Sequence, residues 1–336
     1  MAPSSRHAWL WRVLASPLTR ALLALVAVVV AGLIFSADGA FYKWGTHRDM
    51  LRQVSVYGIL AAGMTVVIVT AGIDLSVGSV LGLSAVLFSV FTLHWQWSAW
   101  SAVPACLIIG VLLGATSGSV IARFGVQPFI ATLAMMVFAR GFAKFVTDGQ
   151  KISNYIQKPD GTFEMVETPA IFDWIDSSYL GNNLAAVTII MAVCFFVTGI
   201  VLSRLRSGRY VYATGGNEDA AWLSGVPVRM TKILAYSLSG LFASVAGICQ
   251  AAQERQGDPE AGVSYELTAI AIVVIGGTSL MGGRGGILLT VLGTLTIGYL
   301  EKILSINAVG EAGRLMLTGG IIVAAVLFQR GKKVYT

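Results

Sequence analysis

A chain of 336 residues could fold as two soluble domains, but this one is 56% hydrophobic and only 12% charged, with a mean hydropathy of +0.76. So few charges cannot give most helices a solvated face, which excludes a soluble architecture and favours one polytopic membrane domain. The net charge of +6 raises nucleic acid as a partner, yet the Lys and Arg residues sit in short breaks between apolar runs, as loops on the cytoplasmic side require.

Arg6, Arg12 and Arg20 precede the first apolar run, Ala21–Ala37. That pattern also fits a secretory signal, but Ser36–Ala40 offers no clear small-x-small cleavage site, so the run is read as an uncleaved first span behind a cytoplasmic segment, 1–20. A helix needs roughly 20 residues to cross about 30 Å of hydrocarbon, and backbone in lipid must bond within its own segment. On that basis about ten helical crossings are expected, at 21–37, 55–73, 78–94, 99–121, 127–146, 184–203, 231–251, 265–281, 286–304 and 313–329. The expected fold is an all-α polytopic membrane protein, with a transmembrane domain over 21–330 and both termini cytoplasmic. The inside breaks then hold Arg123, Arg204, Arg206, Arg209, Arg229, Arg284, Arg330, Lys332 and Lys333; Arg48 and Arg52 go against the rule.

Three breaks are more than turns. Phe41–Gln53 mixes polar and apolar residues and is expected to lie as an interfacial helix before the second span. Thr147–Asn183 is long and carries Pro159, Asp160-Gly161 and Pro169, so an ordered external loop or cap is expected. The third, about 204–230, has a helix signal: Asn217 as its cap, Glu218 and Asp219 at the positive end, Gly225 and Pro227 as the stop. Trp95, Trp97, Trp100 and Trp174 suit an external interfacial belt. Cys106, Cys194 and Cys249 fall in apolar runs and read as small buried residues, while His7, His47 and His94 show no ligand spacing, so no metal site is expected.

The sharpest constellation is Gly72-Ile73-Asp74-Leu75-Ser76-Val77-Gly78-Ser79. Its glycines permit irregular backbone, and a carboxylate in that setting is costly unless it meets a partner or a pathway. The same residues also fit a tight turn in which Asp74 caps the next helix. Arg140 lies about one turn deeper than Lys144, and can pair with a carboxylate or line the external mouth; Glu266 is a candidate partner or an ordinary helix-start acid. Gly215–Gly225 has the form of a docking knob for a cytoplasmic partner, or of an ordinary loop helix. Ala71–Gly78 and Gly276–Gly283 echo one another, a hint of duplicated halves. No phosphate-binding Gly-x-x-x-x-Gly-Lys motif, Gly-x-Ser-x-Gly or His-Glu-x-x-His occurs, so an energy source of the chain's own is not expected.

Several ordered stretches carry a resemblance: Leu51–Ser55, Gly72–Ser79, Pro128–Leu133, Ala139-Arg140-Gly141, Gly208 through Gly225, Tyr265-Glu266-Leu267 and Gly276–Gly285. Over about Leu51–Leu327 the chain resembles the permease subunit of ribose-type sugar ABC importers. The resemblance implies a pathway formed with a second permease copy or paralogue, a periplasmic sugar-binding protein, and cytoplasmic ATPase subunits that use ATP and Mg, in the bacterial inner membrane. No cofactor is then bound by this chain. Asp219-Ala220-Ala221-x-x-x-Gly225 is similar to the family's Glu-Ala-Ala-x-x-x-Gly coupling motif, with Asp219 in place of Glu. The sites implied are Asn217, Glu218, Asp219, Ala220, Ala221 and Gly225 for coupling, and Gly72, Asp74, Ser76, Gly78, Arg140 and Glu266 for the pathway. Lys151–Asp176 looks longer than the family's usual segment, and Glu301-Lys302 stands where relatives tend to carry amides. A branched-chain amino-acid permease is the nearest competitor, and an ion-coupled carrier using Asp74 is the rival from another class; a membrane enzyme lacks an acid/base pair.

Overall fold

The computed structural model describes residues 16–157, 162–310, 312–314, 316, 317, 319 and 320. Arg6, Arg12, Pro159, Asp160, Gly161, Arg330, Lys332, Lys333 and most of the expected span 313–329 lie outside the described residues. The chain is helical almost throughout: α1 Pro17–Ile34, α2 Trp44–Val69, α3 Val77–Ser89, α4 Ala99–Phe124, α5 Pro128–Thr147, α6 Ala170–Asp176, α7 Ala186–Ser203, α8 Arg206–Gly216, α9 Glu218–Leu223, α10 Val228–Glu254, α11 Tyr265–Ile275 and α12 Ile287–Ile306. Two small antiparallel pairings, Tyr155–Gln157 with Phe163–Met165 and Ser178–Tyr179 with Leu184–Ala185, flank α6.

Among the described residues, eight helices are long and apolar enough to cross a membrane; α3 reaches that length by continuing through a wider turn, Val90–His94. They coincide with eight of the ten expected spans. The eighth expected span does not: 265–281 contains only the 11 residues of α11, about 16 Å of rise and half a crossing. It ends at Gly276 and Gly277: Gly277 turns the chain out of the helix at φ +103°, and at Gly276 a Cβ would lie 2.1 Å from the Leu289 carbonyl oxygen. A second correction concerns Phe41–Gln53. Only a short turn, Ala40–Tyr42, precedes α2, and Trp44–Gln53 is the first third of that 26-residue helix. Its polar residues are spent on a cavity and on ion pairs rather than on a membrane surface.

Burial sorts the helices into layers. The α3 segment is 94% buried and α2 83%, whereas α1 is 11% and α5 22%, so α2, α3 and α10 form the centre and the others coat it. Without a hydrophobic force between helices in lipid, close approach supplies the attraction. Gly114 of α4 shows it: a Cβ there would sit 2.1 Å from the carbonyl oxygen of Tyr236 on α10, and one at Gly240 would sit 2.1 Å from that of Gly110. Buried hydroxyl pairs add cross-links, Thr65 with Thr290 at 2.6 Å and Ser84 with Ser244 at 2.8 Å. The three cysteines are free and buried. Trp95, Trp97, Trp100 and Trp174 are exposed, with Trp97 stacked on Phe91.

Candidate functional site

The two ends of α10, about 40 Å apart from 27 residues of rise, define two faces. At the Val228 end lies the segment 204–227. It folds as two helices where the sequence promised one, because the extended backbone of Asn217 ends α8 and starts α9, while Gly208 lets α8 pack closely on the Val201 and Leu202 carbonyls of α7. Asn217 accepts the Ala220 N–H at 2.9 Å, the expected cap, and Glu218 reaches Lys232 at 2.7 Å. Ala221 is buried, while Trp222 and Leu223 are exposed. Gly225 closes the motif at φ +81°, a left-handed turn that suits glycine, and Pro227 starts α10.

The turn after α2 does not stop at this face; it folds back into the bundle. Asp74 is buried, its Oδ1 accepting the Ser76 N–H at 3.0 Å and the Ser76 hydroxyl at 2.6 Å. Its Oδ2 accepts the Ser239 hydroxyl at 2.7 Å. Ser239 lies well inside α10, so the carboxylate ties the α2–α3 turn to the middle of the bundle as well as turning the chain into α3. Tyr236 fills the space beside Gly72, its hydroxyl 2.4 Å from where a Cβ would stand. The two echoing motifs meet here: the Gly283 N–H donates to the Val69 carbonyl at 2.9 Å, and Gly282 packs on Ala71. Gly215, at the end of α8, is wedged between them. Tyr212 donates to the Gly285 carbonyl at 2.9 Å, and burial pushes its phenol above the usual tyrosine range.

At the other end, Arg140 does not pair with a carboxylate at close range. It donates to the carbonyls of Pro259 and Ala261, the latter at 2.8 Å, and so holds the segment 257–264, a run of turns, down along α3. That segment passes Gly82 and then Gly78, where Glu266 also packs: a Cβ on Gly78 would lie 2.2 Å from the Gly262 carbonyl and 2.5 Å from a Glu266 carboxylate oxygen. Arg140, Gly78 and Glu266 therefore share one neighbourhood; Asp74 and Ser76 lie one turn of α3 further on. Residues 217–225 stand apart from all of them. The 147–183 segment is fastened over this end by Arg52–Asp176, Arg255–Asp173 at 2.7 Å and Lys151–Asp258 at 2.9 Å, and Lys144–Glu260 at 2.5 Å ties α5 to the 257–264 segment. Asp258 holds the Lys151 ammonium above the usual lysine range, by hydrogen bond and by charge.

Beneath that segment is a cavity of about 540 Å³ lined by Asp49, Arg52, Gln53 and Tyr57 of α2, Gln250, Gln253 and Glu254 of α10, Tyr265 of α11 and Glu301 of α12. Most of these were not marked as a site. Two spacings were available: Asp49, Gln53 and Tyr57 at i, i+4 and i+8, and Gln250, Gln253 and Glu254 at i, i+3 and i+4, each a polar stripe on one helix face.

The family described as "Branched-chain amino acid transport system / permease component" matches residues 47–326. The ribose import permease of Escherichia coli K12 is 40% identical over 316 residues, 93% of this chain and 92% of that one. The L-arabinose transport system permease of the same strain is 35% identical over 91% of this chain and 90% of its own length. The xylose transport system permease of Haemophilus influenzae is 30% identical over 93% and 96% respectively. No solved structure matches the chain significantly.

Proposed function

The chain belongs to the ribose-type permeases of ABC importers, and on that premise we propose that it carries a pentose or a related neutral sugar across a bacterial inner membrane. The observation that carries this reading is the end-to-end similarity to the ribose permease, 40% identity over 93% of the chain, with the arabinose and xylose permeases aligned over similar lengths. Sugar relatives on three counts argue against the branched-chain amino-acid reading despite the broader family's title.

In this reading the α9 knob, Asn217 to Gly225, seats on a partner ATPase that uses ATP and Mg; the chain itself contributes no hydrolytic group and no cofactor. Support comes from the capped, exposed form of α9 with two bare apolar side chains, Trp222 and Leu223, among basic neighbours. The opposite end, closed by the 147–183 segment, receives a periplasmic sugar-binding protein, and a second permease copy or a paralogue completes the pathway. Both termini are then cytoplasmic, an orientation the arginine distribution supports, Arg48 and Arg52 apart. Alternating access follows from the partner ATPases closing on ATP and moving α9. The test is ATP-driven pentose uptake into proteoliposomes holding this chain, its ATPase and its binding protein. Uptake of leucine but no pentose would return the amino-acid reading, and uphill uptake without the ATPase would return the ion-coupled one.

A further inference from the structure

Three features of the polar cavity go beyond membership of a permease family. The first is its chemistry. The one guanidinium in its wall, Arg52, is spent on Asp176 of the overlying segment, and Asp49 is met by Arg48 at 3.2 Å. Arg314, from the segment after α12, is near enough to Glu301 to act on it by charge. Among the described residues that line the wall, three carboxylates, Asp49, Glu254 and Glu301, stand against one guanidinium, so the lining does not favour an anionic ligand. What faces the space is amide, carboxylate and phenol: Gln53, Gln250, Gln253, Glu254, Glu301 and the two tyrosines. Amides donate and accept, carboxylates accept, and aromatic faces receive the C–H side of a saturated ring.

The second feature is size. At about 540 Å³ the space falls within the roughly 300–1,000 Å³ of small-molecule sites. The third is where it ends. Tyr57 and Tyr265 close against each other at its base, ring centroids 4.5 Å apart. Tyr57 follows the start of α2 by about 20 Å of rise, and Tyr265 is the first residue of the half-length α11, so the pair sits at mid-depth. Beyond it the route is packed solid: Leu60, Met64 and Ile68 of α2 and Ala269, Ile272 and Val273 of α11 are all buried.

From these observations, and resting on the sugar-permease reading above, we infer that this cavity is a solute chamber for a neutral polyhydroxylated ring, with Tyr57 and Tyr265 as its floor and gate. Glu254, Glu301 and the three glutamines exchange hydrogen bonds with the hydroxyls, and the tyrosine pair must part before the solute can move on. Because Asp176 ties Arg52 at the rim, whatever docks on the overlying segment acts directly on the mouth of the chamber.

The chamber is tested with Gln253→Cys in the assembled complex, since the native cysteines are all buried. A membrane-impermeant methanethiosulfonate is added from the Gln253 side, with and without ribose. If ribose binds here at about 10 mM, 100 mM sugar slows labelling about tenfold, whereas Ser98→Cys, on the exposed connection before α4, is unaffected. Equal rates with and without sugar at Gln253→Cys, or equal slowing at both positions, overturn the chamber. Tyr265→Ala is expected to lower ATP-driven uptake about tenfold, roughly 1.4 kcal/mol, while the variant still assembles with its ATPase. Wild-type uptake in Tyr265→Ala overturns the gate. The two readings fail separately: a wild-type complex that imports no sugar sinks the permease assignment, while one that imports ribose without protection at Gln253→Cys sinks only the chamber.

Discussion

Gly215→Ala adds one methyl group at the point where the knob-bearing segment, the end of α2 and the glycine turn 276–286 converge. An ideal Cβ at this position lies 1.7 Å from the Val69 carbonyl oxygen and 2.7 Å from the Gly283 nitrogen, atoms that are hydrogen-bonded to each other at 2.9 Å. Ordinary contact begins at 3.4 Å, so the methyl must displace backbone by about 1.7 Å, the difference of the two distances. Neither neighbour is a flexible side-chain tip. The Val69–Gly283 bond is then broken or α8 moves off, costing about 1–3 kcal/mol for a buried unsatisfied group and about 1–3 kcal/mol for overpacking. The helix-propensity gain of Gly→Ala returns at most about 1 kcal/mol. A net loss of about 1–5 kcal/mol is expected. Gly216→Ala is the matched control, because a Cβ there meets nothing within 4 Å. The assay is thermal unfolding of the detergent-purified chain together with sugar-stimulated ATP hydrolysis by the assembled complex. Gly215→Ala should melt lower and couple poorly; Gly216→Ala should match wild type. Indistinguishable melting and coupling in the two variants would refute the wedge.

Other substitutions probe the remaining contacts. Asp74→Ala removes the acceptor of one N–H and two hydroxyls, so the turn should lose about 1–3 kcal/mol; if Asp74 also serves the pathway, Asp74→Asn, which keeps the shape, will restore melting temperature but not uptake kinetics. Asp219→Lys puts a cation at the start of α9, a change of only about 0.3–1 kcal/mol in the free chain, so melting should hold while coupled ATP hydrolysis falls. Gly225→Trp projects a large side chain into open space from a φ of +81° and should weaken ATPase docking, read by co-purification of the two subunits. Arg140→Ala strands two carbonyls and should loosen 257–264, seen as faster amide exchange in that segment.

Apolar length was legible along most of the chain because hydrocarbon thickness leaves a helix little choice, and eight runs became eight long helices. The cap and stop of α9 were legible for a different reason: Asn217, Gly225 and Pro227 each act through local backbone geometry. The half-length of α11 was not, since Gly276 and Gly277 have the same hydropathy in a helix as in a turn, and what ends the helix is the left-handed backbone of Gly277. The polar start of α2 read as an interfacial helix because its partners are remote: Arg52 finds Asp176, 124 residues away, and the cavity it lines gathers side chains from positions 49 to 301. Asp74 was legible as costly, but the hydroxyl that satisfies it, Ser239, was not.

Helix α2 joins the two ends of the molecule. Its last turn bonds to Gly283 and abuts Gly215, beside the α9 knob. Midway, a Cβ on Gly63 would lie 2.9 Å from the Cα of Ser239, so α2 has no slack against α10 where Asp74 is also tied. Its first half carries Asp49, Arg52, Gln53 and Tyr57 into the chamber. Close-packed interiors shift between discrete arrangements rather than deform smoothly. A push on α9 therefore has a short, stiff route to the tyrosine floor, through Gly215 to Val69 and along one continuous helix. Gly63→Ala would force α2 and α10 apart at that pivot, and it should uncouple ATP hydrolysis from uptake although it touches neither the knob nor the chamber. Tight coupling in Gly63→Ala would show that the motion travels by another path.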